Sequence, residues 1–200
     1  MSVLVTKEAP DFTAAAVLSD GNIKEDFKLS DMKGKYVVLF FYPLDFTFVC
    51  PTELIAHDKR IEEFKKRDVE VVCVSIDSQF SHFAWRNTPV EKGGIGAIKY
   101  PMVADVKHEI ARAYGIEFAD AGIALRASFL IDKDGIVQHQ VVNNLPLGRN
   151  VDEMLRIVDA LQFHEKHGEV CPAGWQKGED GMTPTADGVA GYLSSHSEKL

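Results

Sequence analysis

The 200 residues carry 22 Lys and Arg against 30 Asp and Glu, a formal charge of −8, with 46% hydrophobic and 10% aromatic side chains. That acidic balance excludes nucleic-acid binding by bulk charge, and 15 Gly with 8 Pro are too few for a collagen-like or disordered chain. A chain of this length buries roughly 70% of its unfolded surface, enough for one sizeable core.

Met1 to Glu8 lack the basic start, long apolar stretch and small-residue cleavage site of a secretory leader, which predicts a cytoplasmic protein. The turn-forming tetrad Ser19-Asp20-Gly21-Asn22, between part-apolar segments at 12–17 and 22–27, predicts an N-terminal β-hairpin. Tyr36 to Tyr42 is the longest apolar run, at seven residues. A membrane-spanning helix needs roughly 20, so the run is expected to be a buried central strand ended by Pro43. Thr52 to Arg67 follows as a helix with Leu54, Ile55, Ile61 and Phe64 on one face, and Val69 to Ile76 as a second β-branched strand.

Further along, helices are expected around Phe80 to Asn87 and Lys107 to Tyr114, on either side of a short strand from Tyr100 to Val103. Ala127 to Ile131 and Ile136 to Val142 are strands joined by the tight Asp132-Lys133-Asp134-Gly135 connection, and Val151 to His164 repeats Leu155, Val158 and Leu161 at helical spacing. Alternation of this kind predicts an α/β fold with a mixed sheet covered by helices. After His167 the pattern fades, and Gly174, Gly178, Gly181, Gly188 and Gly191 mark an irregular tail or arm that carries Cys171.

Three cysteines, Cys50, Cys73 and Cys171, are odd in number and widely spaced, unlike the dense framework of a small secreted domain. Cys73 sits inside the β-branched string Val71-Val72-Cys73-Val74 and is expected to be a small buried apolar residue. Cys50 stands between the end of a buried strand and the start of a helix, with Pro51 at a favoured early helical position. There the helix dipole and unpaired backbone N–H groups favour an ionised, nucleophilic sulfur. An inert buried cysteine is the alternative at such a position. Ionisation alone makes a modest catalyst, so donors must stabilise the displaced group, and Thr47 is the nearest hydroxyl in the loop.

The string Pro43-x-x-x-Thr47-x-x-Cys50 resembles the active-site signature of peroxiredoxins, and Phe46 to Glu53 together with Val170-Cys171-Pro172 resembles their typical two-cysteine subgroup. The similarity continues through Asp77-Ser78-Gln79-Phe80, Ala84-Trp85, Gly93-Gly94-Ile95-Gly96, Arg126-Ala127-Ser128-Phe129 and Leu147-Gly148-Arg149. It implies a thioredoxin-like fold with a mixed central sheet, an N-terminal hairpin and a C-terminal arm: residues 1–167 as the peroxidase domain and 168–200 as the arm.

Carried onto this chain, the resemblance makes Cys50 the thiolate that attacks peroxide and becomes a sulfenic acid. Arg126 is its guanidinium partner, Thr47 and the Cys50 N–H are further donors, and Pro43 shapes the pocket. Glu53 and Arg149 form a supporting ion-pair network. Cys171 is the resolving cysteine, forming an intersubunit disulfide with Cys50 in a homodimer, and dimers in this subgroup often assemble into decamers. The implied partners are a peroxide, hydrogen peroxide or an alkyl hydroperoxide, and a disulfide reductant, thioredoxin or a dedicated flavoprotein. No cofactor, metal, nucleic acid or membrane is implied. Gly93-Gly94-Ile95-Gly96 and Tyr192-Leu193 depart slightly from the pattern of peroxide-sensitive members, which implies intermediate sensitivity to over-oxidation. A redox-regulated holdase chaperone is the alternative function.

Other features read more plainly. Disulfide exchange usually shows C-x-x-C, which this chain lacks. His164 and His167 lack the companions of a metal site and are expected on a solvated helix end. Asp132-x-Asp134-Gly135 is a turn rather than a calcium loop, the 93–96 glycines are a flexible loop rather than a phosphate loop, and Trp85 is core.

Overall fold

The computed structural model describes residues 3–199. Contacts divide them into two units, one ending at Val151 and one starting at Asp152.

The first unit is built on a seven-stranded sheet. Strands β1 (Thr13–Val17) and β2 (Ile23–Lys28) form the antiparallel hairpin that the Ser19–Asn22 tetrad predicts. Next come β3 (Tyr36–Phe41), helices α1 (Cys50–Lys59) and α2 (Ile61–Lys65), β4 (Val69–Ser75), helix α3 (Gln79–Arg86), β5 (Met102–Ala104) and helix α4 (Glu109–Ala113). A two-residue pair, β6 (Glu117–Phe118) and β7 (Ile123–Ala124), precedes β8 (Arg126–Ile131) and β9 (Val137–Asn143). The strand order is β2-β1-β5-β4-β3-β8-β9, with β3, β4 and β5 parallel to their neighbours in that trio and the other pairings antiparallel.

All six residues of β3 are buried, as expected of a central strand covered on both faces. Its alternate side chains part as the two-residue period of a strand requires. Val37, Leu39 and Phe41 join Val72, Val74, Tyr114 and Phe129 in one core layer, while Phe40 meets His57 and Tyr100 through ring contacts at 4.0 and 5.8 Å. Cys73 and Trp85 are fully buried, in keeping with their expected packing roles.

Several boundaries differ from the sequence expectation for local reasons. The helix expected over Thr52 to Arg67 begins two residues earlier, at Cys50, and breaks at Arg60, whose φ of −106° and ψ of 7° leave the helical region. β5 begins after Pro101, which has no N–H for a ladder. α4 starts only at Glu109, where the Asp105 carboxylate accepts hydrogen bonds from the Ile110 and Ala111 amides at 3.1 and 2.7 Å. β6 and β7 are too short to leave a period in the sequence. The Asp132–Gly135 connection is the expected turn: Asp132 Oδ1 accepts from the Asp134 and Ile136 amides, both at 2.9 Å, and Gly135 supplies a φ of 86°.

In the second unit, helix α5 (Val151–His167) precedes an irregular stretch closed by paired backbone hydrogen bonds between Val170 and Met182. Helix α6 (Ala186–His196) then corrects the expectation of an irregular tail. It buries no residue, so no apolar period betrays it; its signal is the Thr185 cap, whose side chain accepts from the Gly188 amide at 3.1 Å. The contact boundary lies at the start of α5 rather than at its end, where the sequence changes character, because α5 side chains bind the stretch that follows. Among the described residues no helix is long and apolar enough to cross a membrane.

Candidate active site

Cys50 is the first residue of α1, with Pro51 behind it and the loop from Pro43 to Val49 in front. Strand β8 lies beside β3 in the sheet, and its first residue, Arg126, comes to the same place. The Arg126 Nη1 donates to Cys50 Sγ at 3.4 Å and to Glu53 Oε2 at 2.8 Å, and its Nε donates to the Leu145 carbonyl at 2.6 Å. Glu53, one helical turn after the cysteine, is the hub. Its Oε1 accepts from Arg149 Nε at 2.7 Å and from the Arg149 amide at 2.8 Å, and its Oε2 accepts from Arg149 Nη2 at 2.9 Å. Arg149 Nη1 donates further to the Phe41 carbonyl at 2.9 Å and to the Ala127 carbonyl.

Two guanidinium groups and one carboxylate are thus buried together, with the carboxylate bonded to both cations, the condition under which a buried charge cluster is tolerated. Burial would raise the Glu53 carboxyl, but the hydrogen bonds and charge of Arg149, and then the charge of Arg126, outweigh it and hold Glu53 below the usual carboxylate value. The guanidinium beside the sulfur is therefore fixed in direction before any substrate arrives. Of the three residues that the resemblance groups with Cys50, Arg126 touches the sulfur and Glu53, and Arg149 touches Glu53.

Cys50 exposes 0% of its surface, so the thiol is closed off from solvent in this arrangement. Phe48, two residues before Cys50, is 92% exposed and Phe46 stands at a positive φ of 52°, so the loop is neither deeply packed nor relaxed. Thr47 was expected as a donor, yet its Oγ1 already donates to the Leu44 carbonyl at 2.9 Å, which leaves lone pairs to accept with. Pro43 is buried at the foot of the loop. A cavity of about 320 Å³ is lined by Leu29, Lys33 and Asp132 and not by Cys50.

A second polar cluster, unforeseen from the sequence, holds the loop from its other side. Asp45 accepts from Tyr42 Oη at 2.7 Å, from Ser81 Oγ at 2.8 Å and from His82 Nδ1 at 2.9 Å, while its amide donates to Asp77 Oδ2 at 2.9 Å. His82 is fully buried, and its Nε2 stands 3.2 Å from the Val103 carbonyl. Burial, and then the charge of Asp45, pushes the Asp77 carboxyl up. The available signal was an acidic residue in the loop and the Ser81-His82 pair near the start of α3.

His57, also unforeseen, lies one turn after Glu53. Its Nδ1–H donates to the Glu53 carbonyl at 2.7 Å, and its ring stacks on Phe40 with 4.0 Å between centroids. Burial lowers its pKa from 6.5 to about 4, with the charge of Arg149 adding to the effect. Between those values the unfolded chain binds a proton that the folded chain refuses, so stability falls as pH drops from 6.5 to 4. The full loss is about 3 kcal/mol. Urea midpoints measured across that window are expected to decline in the wild type and to flatten in His57→Phe; an equal decline in both would remove His57 as the cause.

Elsewhere, Cys171 lies in the second unit, half-buried, and His164 on α5 turns its Nδ1 to the Glu169 carbonyl at 2.7 Å.

Residues 5–140 match the AhpC/TSA family and residues 160–195 match the C-terminal domain of 1-Cys peroxiredoxin. An alkyl hydroperoxide reductase C of Helicobacter pylori is 60% identical over 99% of this chain and 100% of its own length. Peroxiredoxin-1 of Gallus gallus is 55% identical over 95% of each chain. The crystal structure of the reduced 2-Cys peroxiredoxin of Plasmodium vivax superposes with a TM-score of 0.94 at 53% identity, covering 96% of this chain and 100% of that one. A thioredoxin-like sheet, a cysteine at a helix start under a fixed guanidinium, and similarity along the whole chain lead to one conclusion: this chain belongs to the AhpC/TSA family of peroxiredoxins, enzymes that reduce peroxides with a thiol.

Proposed function

We propose that Cys50 is the peroxide-reducing thiol and that Arg126, fixed by Glu53 and Arg149, supplies most of the barrier reduction. The observation that carries this is the Arg126 Nη1, which donates at once to Cys50 Sγ at 3.4 Å and to Glu53 Oε2 at 2.8 Å. Its charge stabilises anionic sulfur, and its donors are aimed where negative charge develops. The sulfur gives its electron pair to one peroxide oxygen, an S–O bond forms and the O–O bond breaks. The leaving oxygen takes a proton and departs as water or an alcohol. Thr47, its own proton engaged by Leu44, accepts the hydrogen bond of the peroxide O–H and so orients it. Buried Pro43 and the loop above limit water around the sulfenic acid.

Cys171 of a partner subunit then attacks the sulfenic sulfur. The S–S bond forms, the S–O bond breaks and the hydroxide leaves as water. An external dithiol, thioredoxin or a dedicated flavoprotein reductase, returns two electrons and restores both thiols. Such a cycle suits the cytoplasm, whose reductants keep thiols free. A homodimer is the catalytic unit in this scheme, and residues 168–200 serve as the arm that carries Cys171. Exposed Phe80 and Phe83, at 66% and 44%, offer an apolar face for assembly of dimers into larger rings.

A non-reducing gel after one equivalent of hydrogen peroxide tests the scheme. The wild type is expected to run as a covalent dimer, and Cys50→Ser and Cys171→Ser as monomers. A covalent dimer in either variant would overturn the pairing.

A further inference from the structure

The loop from Pro43 to Val49 is tied to α3 through a buried pair, Asp45 and His82, whose side chains are 1% and 0% exposed. Both ring nitrogens of His82 face oxygen: Nδ1 lies 2.9 Å from Asp45 Oδ2, and Nε2 lies 3.2 Å from the Val103 carbonyl of β5. A carbonyl only accepts, so Nε2 carries a hydrogen. The Nδ1–Oδ2 contact needs a hydrogen as well, and the pair itself must supply it. Ser81 Oγ spends its own on Asp45 Oδ2 at 2.8 Å, and Tyr42 Oη, 3.3 Å from Nδ1, spends its own on Asp45 Oδ1 at 2.7 Å. Asp45 and His82 therefore hold two protons together, one more than a carboxylate and a neutral imidazole have between them.

We propose that this second proton latches the loop: with it, His82 is a positioning residue that holds Asp45, and through Asp45 the flanking Pro43 and Thr47, for the reaction at Cys50; without it, the loop lets go. The proposal rests on Cys50 being the peroxide-reducing thiol. Loss of the proton leaves the Nδ1 and Oδ2 lone pairs facing each other across 2.9 Å and a buried carboxylate without its counter-ion, a state that a packed interior resists. The titratable groups around the pair offer no substitute. Burial, and then the charge of Asp45, pushes the Tyr42 hydroxyl and the Cys73 thiol well above their ordinary values, so both stay neutral. The same two causes push the Asp77 carboxyl up, and its Oδ2 is engaged by the Asp45 amide at 2.9 Å and by Ser75 Oγ at 2.6 Å. The loop is what can move, and a reporter lies against it: the Phe46 ring, next to Asp45, packs on Trp85 with 5.7 Å between centroids.

Trp85 is buried and is one of 2 tryptophans, so in a Trp175→Phe background its fluorescence reports on the loop. In that background, acrylamide quenching of Trp85 and stopped-flow oxidation of Cys50 by hydrogen peroxide are measured from about pH 6 to about pH 9.5. With His82 in place, the rate is expected to climb as the thiol ionises and then to fall about thirtyfold on the alkaline side, the factor that one hydrogen bond to a charged group corresponds to. Quenching should rise over the same interval. His82→Asn puts a non-titrating amide N–H near the place of Nδ1; it should keep part of the rate and lose the alkaline fall, which a merely structural role would not change. His82→Leu removes the donor and should be slow and readily quenched at every pH. If that variant does not fold, the profiles with His82 and with His82→Asn decide alone. A profile with no alkaline fall when His82 is present, or the same fall in His82→Asn, overturns the latch. Quenching that rises while the rate holds overturns the positioning role. Quenching that follows the expected pattern in a protein whose Cys50 never reacts with peroxide overturns instead the assignment of Cys50 as the peroxide-reducing thiol.

Discussion

Arg126→Met is expected to slow oxidation of Cys50 by hydrogen peroxide about a thousandfold, the upper end of what losing one preorganised donor to a developing anion costs. Stopped-flow or competition kinetics on the reduced protein measures this step apart from resolution and recycling. The effect is expected in chemistry rather than folding, because Glu53 keeps three hydrogen bonds from Arg149 when Arg126 is gone. Methionine fills much of the same volume without a charge. Arg126→Lys should recover only part of the rate, since an ammonium restores the charge but not the planar fork that now reaches Cys50, Glu53 and Leu145 together. A loss below tenfold in Arg126→Met would mean that the guanidinium is a structural counter-ion and that the barrier is lowered elsewhere.

Glu53→Ala carries the largest expected effect on stability. It leaves the Arg126 and Arg149 guanidinium groups, 5% and 4% exposed, facing each other without the carboxylate between them. Breaking a buried pair in this way costs about 3 to 5 kcal/mol, enough to erode much of a domain's marginal stability. Glu53→Gln should lie between, keeping shape and some hydrogen bonding while losing the charge. The pH dependence has a definite sign. A carboxyl held below its ordinary value of 4.5 stabilises the fold above that value, and the contribution disappears as pH falls through the lowered folded value. Acid unfolding of the wild type should therefore show a step below pH 4.5, beneath the one assigned to His57, and Glu53→Gln should lack it. Chemical denaturation of both variants across pH 3 to 7 checks this; an unaltered acid step in Glu53→Gln would assign it to another group.

Much of the fold is written in local patterns. β3 follows from an unbroken apolar run, β1 and β2 from a tetrad of turn residues, and α3 and α5 from apolar spacing near the helical period. Local patterns also place Cys50 at a strand-to-helix junction. They do not place Arg126, which is 76 residues away, or Arg149, which is 96 residues from Glu53. Those partners were reached through resemblance, since periodicity states which face of a strand is buried but not which strand lies beside it. Helix α6 escaped because an exposed helix needs no apolar period, and the Asp45–His82 cluster escaped because a buried histidine and a solvated one look alike in a string of letters.

The amino-acid sequence by itself determined the longer strands, the position of Cys50 at a helix start and the presence of a second thiol near Pro172, for each depends on neighbours a few bonds away. Pairing of β3 with β8 decided what the sulfur meets: it delivers the first residue of β8 to the first residue of α1 and lets one buried carboxylate orient two guanidinium groups. Packing likewise decided that Cys50 is closed off and that Cys171 is held on α5. Burial and the direction of a donor arise from long-range contacts, and these exist only once the sheet has formed and the helices have closed over it.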